Sequence, residues 1–417
     1  MYARKNILTA ALLFLISIST VKVVSAQGIP INGFVQGLWG GRLQEKNPTS
    51  SDYTASEVRL QLRMEHNADI AEVFARADFF NDEIVAGGND WELREAFAKF
   101  TLLGKIDFKV GRQILTWGTG DLIFINDVFA KDYESFFAGR EDQYLKAPQT
   151  ALRSEYYSPL GELALVWTPR FAPNRTPATG RFSYYSPMSG DFAAEPFAVP
   201  LPAESIRNSE LAGRFQKTVG GMALALYGYK GFFKNPVGFD FVSMMPFYPR
   251  LNIYGASARG QAGGGVFWLE GGYFHSYDDQ CGEKPGIPNS NIQGLVGFEK
   301  QIASDITANI QYQAEKMLQY ERYERNLVGN DKEDEFRSLV TSRISGRFRM
   351  ETIILSSFIF WSPSDEDLYY RFSADYKLTD NMTVTVGGNI FDGNKRFTDF
   401  GMFQLNDNLY ARATYGF

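Results

Sequence analysis

The 417-residue chain carries 44% hydrophobic, 15% aromatic and 22% charged side chains, one Cys, and a formal net charge of −6. With 35 Phe and 22 Tyr it is too apolar to be disordered, and one Cys cannot build a disulfide scaffold. The excess of 48 acids over 42 bases excludes a basic nucleic-acid binder.

At the N-terminus, Arg4 and Lys5 precede an apolar run from Ile7 to Ile18 broken only by Thr9 and Ser17. Val24-Ser25-Ala26 then offers the small residues of a cleavage site. The run of about 12 residues is short of the ~20 that span a bilayer. Residues 1–26 are therefore expected to be a cleaved secretory signal, and 27–417 a single domain. Since 1–26 holds three bases (Arg4, Lys5, Lys22) and no acid, the exported part has 39 bases against 48 acids.

Beyond residue 26 no window reaches the ~18 consecutive apolar residues of a transmembrane helix. Period-two alternation recurs instead, in blocks of about ten residues broken by Gly, Asp, Asn and Pro. Val58, Leu60, Leu62 and Met64 alternate with Glu57, Arg59, Gln61, Arg63 and Glu65. Ile306, Ala308, Ile310 and Tyr312 alternate with Thr307, Asn309, Gln311 and Gln313. The same rhythm runs through 368–378, 382–390 and 409–417. Strands are expected at 31–43, 55–67, 70–82, 91–103, 106–118, 148–159, 161–171, 206–219, 221–233, 250–262, 264–277, 289–302, 305–318, 335–349, 352–362, 366–379, 381–392 and 403–417.

Their connections alternate between short and long. Asn67-Ala68-Asp69, Leu103-Gly104-Lys105, Gly220-Gly221, Gly263-Gly264 and Thr379-Asp380-Asn381 are tight turns. The intervening loops, near 44–54, 83–90, 119–147, 172–205, 234–249, 278–288, 319–334 and 393–402, are long, with a shorter member at 363–365. An even count of about 18 strands (16–18), with short periplasmic turns and long extracellular loops, is the pattern of an all-β antiparallel up-and-down barrel crossing the bacterial outer membrane. In hydrocarbon a sheet satisfies its backbone only by closing on itself. The terminal Phe417, with Tyr415 and Ala413 on the same face, resembles the signal by which the barrel-assembly machinery recognises such chains.

A barrel of this size is too wide for wall side chains alone to fill. If the apolar parity faces lipid, the other lines the lumen and is charged: Arg59, Arg63, Arg76, Arg153, Arg214, Arg337, Arg343, Arg347, Arg371 and Arg412, beside Glu57, Glu72 and Asp375. On 337–349 four arginines, Arg349 included, are expected on one face. Arginines in a pore favour anions through bidentate contacts; the competing reading is mutual neutralisation by acids on neighbouring strands. The connection 119–147 holds Asp121, Phe124, Asp127, Phe129, Lys131 and Phe136. A loop so rich in large apolar groups is expected to fold into the lumen and narrow it, unless it packs over the mouth or at a subunit contact.

Eighteen strands, a charged lumen and an infolded long loop resemble the porins of Gram-negative bacteria. Gly111-Arg112-Gln113, followed by Trp117-Gly118, is similar to a strand element of alginate-export-type barrels. Arg112 falls on the lipid-facing parity beside Val110 and Ile114, so it is expected either to snorkel at the rim or to be turned inward by a bulge at Gly111. The six tryptophans, Trp39, Trp91, Trp117, Trp167, Trp268 and Trp361, all fall in expected strands or at their ends, as an interface girdle requires. Trp268, of lumen parity beside Glu270, is the exception that could stack a sugar.

His66 and His275 fall at opposite ends of distant strands and cannot share a catalytic site. No phosphate loop, metal-ligand cluster or haem-attachment motif occurs, so neither enzyme activity, cofactor nor bound metal is expected. The acidic run Asp331-Lys332-Glu333-Asp334-Glu335 reads as solvated loop charge, and no plug domain is expected ahead of the first strand at Ile31. The expectation is a channel of the cell outer membrane passing small hydrophilic solutes, acidic sugars and other anions among them. Its surroundings would be outer-membrane lipid and lipopolysaccharide, with no nucleic-acid partner. A non-conducting barrel that serves as scaffold for a partner protein is the alternative.

Overall fold

The computed structural model describes residues 30–49, 51–84, 88–177, 180–195 and 199–417; the expected signal, 1–26, lies outside them. In chain order the strands are β1 (Ile31–Arg42), β2 (Tyr53–Asn67), β3 (Glu72–Asp82), β4 (Gly88–Leu102), β5 (Ile106–Ile114), β6 (Pro148–Ser158), β7 (Gly161–Thr168), β8 (Tyr184–Ser186), β9 (Asp191–Ala193), β10 (Glu210–Val219), β11 (Met222–Phe232), β12 (Gly238–Asp240), β13 (Met245–Phe247), β14 (Arg250–Ala262), β15 (Gly265–Ser276), β16 (Asn291–Ala303), β17 (Ile306–Met317), β18 (Phe336–Phe348), β19 (Ile353–Ser362), β20 (Asp367–Lys377), β21 (Met382–Gly393) and β22 (Asn408–Gly416). β8/β9 and β12/β13 are small hairpins within long loops; the other 18 form one antiparallel sheet.

Each strand of that sheet pairs with the next, and β1 closes the ring on β22 from Phe34↔Gly416 to Arg42↔Asn408. Phe417 completes the seam: its N–H donates to the Gly33 carbonyl at 2.9 Å, and its own carbonyl accepts from Gly33 at 3.0 Å. All 18 expected strands are therefore present. The short turns follow from their residues: Ala262 pairs with Gly265, which leaves Gly263 (φ +59°) and Gly264 (φ +75°) as a two-residue turn whose twist matches the strands.

The alternation also sets the faces. On β17 Ile310 is 57% exposed on the outside while its neighbour Gln311 is 1% exposed within. Val58, Leu226, Ile310, Leu355 and Val386 are among the apolar side chains on the outside, where only lipid is a favourable solvent for them. The buried apolar clusters lie inside the ring, between the wall and the segment 119–147.

Differences from the sequence reading fall at strand ends. β5 stops at Ile114, so Trp117 is in the following loop; β10 begins at Glu210 and β22 at Asn408, each after a turn of 3₁₀-helix. Arg349 does not share the face of Arg337, Arg343 and Arg347, because β18 ends at Phe348 and Arg349 takes a left-handed turn conformation (φ +51°). Four tryptophans, Trp39, Trp91, Trp167 and Trp361, are exposed on the outside, whereas Trp117 and Trp268 are buried inside and belong to no girdle. Gly111 has φ +128°, and a Cβ there would lie 2.2 Å from the Ala96 carbonyl oxygen and 2.9 Å from Phe97 Cα. The expected bulge is not there: the ladders to β4 and β6 run unbroken through Phe97↔Gly111 and Gly111↔Ala151, and Arg112 reaches Glu92 at 3.6 Å without one. Gly111→Val combines a forbidden backbone conformation with direct overlap. It is expected to abolish assembly, read as loss of the compact, heat-modifiable band of the folded barrel on a denaturing gel.

Candidate functional site

Segment 119–147 follows β5 and bonds to inward-facing residues of the wall, among them Glu270, Gln311 and Asp78. Its first half is held by Glu270 of β15, a buried carboxylate with five donors. Oε2 accepts from Thr119 N (2.7 Å), Thr119 Oγ1 (2.8 Å) and Gly120 N (3.2 Å), and Oε1 from Asn126 N (2.7 Å) and Asn126 Nδ2 (3.0 Å). Charge-assisted bonds to backbone amides satisfy such a carboxylate without a cation. Gln311 of β17 donates to the Asp121 carbonyl and accepts from the Asp121 N–H, both at 2.8 Å. Ile123 and Ile125 pack on Trp268 and Leu295. Trp268 is therefore covered by the loop, and no sugar can stack on it.

The turn of the loop is apolar. Val128 and Phe129 join Leu115 and Trp117 against Ala151, Val166, Tyr229 and Ile253 of the wall. Lys131, also buried, bonds Asp127 at 3.0 Å and the Phe129 carbonyl at 2.7 Å, with the Phe124 ring 4.4 Å away. Burial pushes its ammonium below the ordinary lysine value, against the opposing pull of Asp127.

A short helix, Tyr133–Phe137, follows; Asp132 caps it by accepting from Ser135 N at 2.8 Å. Phe136 and Phe137 enter an aromatic cluster with Phe358, Phe360, Tyr369, Phe391 and Phe403. The Phe137 and Phe391 centroids are 4.8 Å apart at 77°, an edge-to-face contact.

The return arm meets β2 and β3. Arg140 pairs with Glu57 and, at 3.2 Å, with Asp82; Arg59 lies 2.7 Å from both Glu57 and Asp78; the Tyr144 hydroxyl donates to Asp78 at 2.7 Å. Register across β3 and β4 passes from Arg76↔Glu95 to Ala77↔Leu93, so Arg94 is an extra, bulged residue. The bulge turns it inward, where its guanidinium stacks on Tyr144 at 4.6 Å and donates to the Lys146 carbonyl at 3.1 Å.

The residues singled out from the sequence thus separate into groups. Arg343, Arg371, Arg412 and Asp375 come together, lining one cavity of about 170 Å³ with Glu141 and Asp142 of the loop. Arg343 is 3.1 Å from Asp121 and Arg371 3.1 Å from Asp142. Arg371 Nη1 and Arg412 Nε are buried without a hydrogen-bond partner, whereas Arg343 Nε is the atom that meets Asp121. A second cavity of about 680 Å³ shares Leu122, Asp142 and Arg343 with the first, and reaches Arg76, Glu95, Trp117 and Arg259. Asp121, Phe124 and Asp127 line this one.

Glu57 and Arg59 face inward but are buried beneath the loop, whose own Phe129, Lys131 and Phe136 are buried as well. They hold the loop and meet no water-filled space. The remaining charges pair locally along the wall: Arg63 with Glu65 (2.7 Å), Arg76 with Glu95 (2.8 Å), Arg153 with Glu155, Arg214 with Glu162 (2.5 Å), Arg347 with Glu351 (3.2 Å) and Glu72 with Lys99 (3.9 Å). Arg337 sits at the long-loop rim, 3.4 Å from each of Glu333, Asp365 and Asp399. His66 and His275 are on β2 and β15, and His275 contacts Tyr273 at 3.2 Å. Sequence reasoning missed Arg94, Arg140, Arg175 and Arg181. Glu270 carried a signal, the inward parity it shares with Trp268.

No protein-family model matches the sequence, and no curated protein matches it either. Among solved structures the chain is similar to OccD3 (OpdP) of Pseudomonas aeruginosa, with a TM-score of 0.54 and 12% identity over 96% of this chain and 95% of that one. It is likewise similar to OccAB3 of Acinetobacter baumannii, with a TM-score of 0.54 and 10% identity over 94% of this chain and 100% of that one. A mutant of the Rh. blastica porin aligns with a TM-score of 0.42 and 12% identity over 93% and 100% of the two chains. A closed ring of 18 strands, greasy outside and charged within, is in its architecture the fold of the outer-membrane porins.

Proposed function

We propose that this chain is an outer-membrane channel for the passive diffusion of small hydrophilic solutes, narrowed by segment 119–147 and favouring anions, acidic sugars among them. The observation that carries the reading is the cavity between loop and wall lined by Arg343, Arg371 and Arg412, of which Arg371 and Arg412 each keep an unpartnered N–H. Buried guanidinium donors are normally satisfied; two unsatisfied ones beside a third guanidinium, on one cavity of about 170 Å³, match a passing carboxylate or phosphate. Glu141, Asp142 and Asp375 share that lining, Asp142 lying 3.1 Å from Arg371 and Asp375 3.9 Å from Arg412, so an anion meets attraction and repulsion together, which keeps binding weak enough for release. Lipid and lipopolysaccharide around the apolar belt, and assembly machinery reading the Phe417 end, are the partners this function requires.

The second reading, a closed scaffold, draws on the loop itself, which touches both β15–β18 and β2–β4 and fills the space between them with aromatic packing. Planar-bilayer recordings separate the two. The channel reading expects discrete ohmic steps whose reversal potential in a KCl gradient reports ion preference. Silence at all voltages would leave the scaffold.

A further inference from the structure

The five-residue helix Tyr133–Phe137 is too short to hold its own shape, and isolated helices of that length are unstable in water. Something outside it must set its position. The capping Asp132 and the first-turn Glu134 are bound by two arginines that belong to neither the loop nor the wall. Arg175 and Arg181 come from the long connection between β7 and β10.

Arg181 is buried and divides its donors among three groups: Nε to Glu134 at 2.8 Å, Nη1 to the Thr54 carbonyl at 2.7 Å, and Nη2 to Asp82. The Thr54 carbonyl is offered by a bulge: register across β1 and β2 passes from Gly40↔Ala55 to Gly41↔Tyr53 and skips Thr54. The fork of one guanidinium thus joins the helix to two wall strands, a task for which its planar geometry suits it and an ammonium does not. Phe182 follows, fully buried and edge-on to Phe137, with centroids 6.3 Å apart at 89°. Ser183 is sewn to Asn406 ahead of β22 by bonds of 3.0 and 2.7 Å.

Arg175 works from the other side. Its backbone N–H donates to the Lys131 carbonyl at 2.8 Å and its carbonyl accepts from Tyr133 at 3.0 Å, while its side chain reaches Asp132 at 3.2 Å and also pairs with Glu92.

We infer that the aperture is built by two loops, and that Arg175 and Arg181 are positioning residues that clamp the helix half of segment 119–147 against the wall. The inference rests on the channel reading above. Glu270 fixes the other half independently, so loss of the clamp should free only residues beyond about Lys131. Removing Arg181 strands Glu134 and leaves Asp82 with Arg140 alone, 3.2 Å away. Two carboxylates then face each other across the gap, and the helix is pushed off the wall.

The test compares the full chain with Arg181→Ala, Arg181→Lys and Arg175→Ala in planar bilayers, each first shown to be folded by heat-modifiable mobility. Expected for Arg181→Ala are a raised conductance and a several-fold rise in open-channel current noise; Arg181→Lys restores part of the effect, because one ammonium replaces one of three contacts. A folded Arg181→Ala barrel with unchanged conductance and noise overturns the inference. Arg175→Ala, at a site whose side chain is 40% exposed, carries the same expectation and the same refutation should Arg181→Ala fail to fold. If the unaltered chain does not conduct, the channel reading fails separately. The clamp is then read by trypsin: cleavage at Lys131 or Arg140 of the folded variant, absent in the parent, supports it, and resistance in both refutes it.

Discussion

A chain in which residues 122–137 are replaced by a short Gly-Ser linker is expected to conduct several-fold more current per channel than the full-length protein. The deleted stretch supplies Ile123, Ile125, Val128, Phe129, Phe136 and Phe137, the side chains that fill the inside of the ring. An 18-strand wall encloses more space than its own side chains occupy, so their removal widens the narrowest section. The wall keeps its ladder, since none of these residues belongs to a strand. The cost falls on stability. Glu134 and Asp132 leave with the loop, and Arg181 and Arg175 lose those partners, an unpairing that costs about 3–5 kcal/mol when a charge stays buried. Water admitted by the wider lumen relieves part of that. Unchanged conductance in a folded deletion variant would dispose of the constriction.

The second large effect concerns charge. Around the smaller cavity Arg343, Arg371 and Arg412 face Glu141, Asp142 and Asp375, a balance of three against three. Replacing all three arginines by alanine leaves only the carboxylates. In a water-like dielectric a unit charge at about 8 Å is worth about 0.5 kcal/mol to a passing ion, so three amount to about 1.5 kcal/mol, or about tenfold in relative permeability. The reversal potential in a KCl gradient is expected to move toward cation preference by about that factor. The shift should shrink as salt rises and the Debye length falls below the aperture. An unmoved reversal potential would remove these arginines from the ion path. Single replacements are expected to give fractions of the shift, because the three donors share one space.

Much of this fold was legible because a strand in a lipid-facing wall is constrained at every second residue. Val58, Leu60 and Leu62 on one side and Arg59 and Gln61 on the other leave a single register compatible with both solvents. Glycine pairs such as Gly263-Gly264 then mark where the ladder turns. The inward parity of Trp268 was equally legible, but not its burial, since that depends on a loop 150 residues earlier in the chain settling on Glu270.

What escaped was set by tertiary contact. Arg94 turns inward only because a bulge shifts the β4 register, and nothing in its neighbours announces a bulge. Arg140, Arg175 and Arg181 lie in irregular segments with no periodicity to assign a direction, and find carboxylates on β2, β3 and β4 only once the loops are in place. Glu57 and Arg59 show the converse: their direction was right, yet the infolded loop turned them from wall charges into its anchor.

The ring is joined by the first strand and the last. Until Asn408–Gly416 are in place, β1 and β21 each present a full row of unpaired backbone donors and acceptors, in surroundings where water is absent. No shorter product of the gene therefore amounts to a smaller working vessel: a prematurely terminated chain is an open ribbon with two adhesive margins.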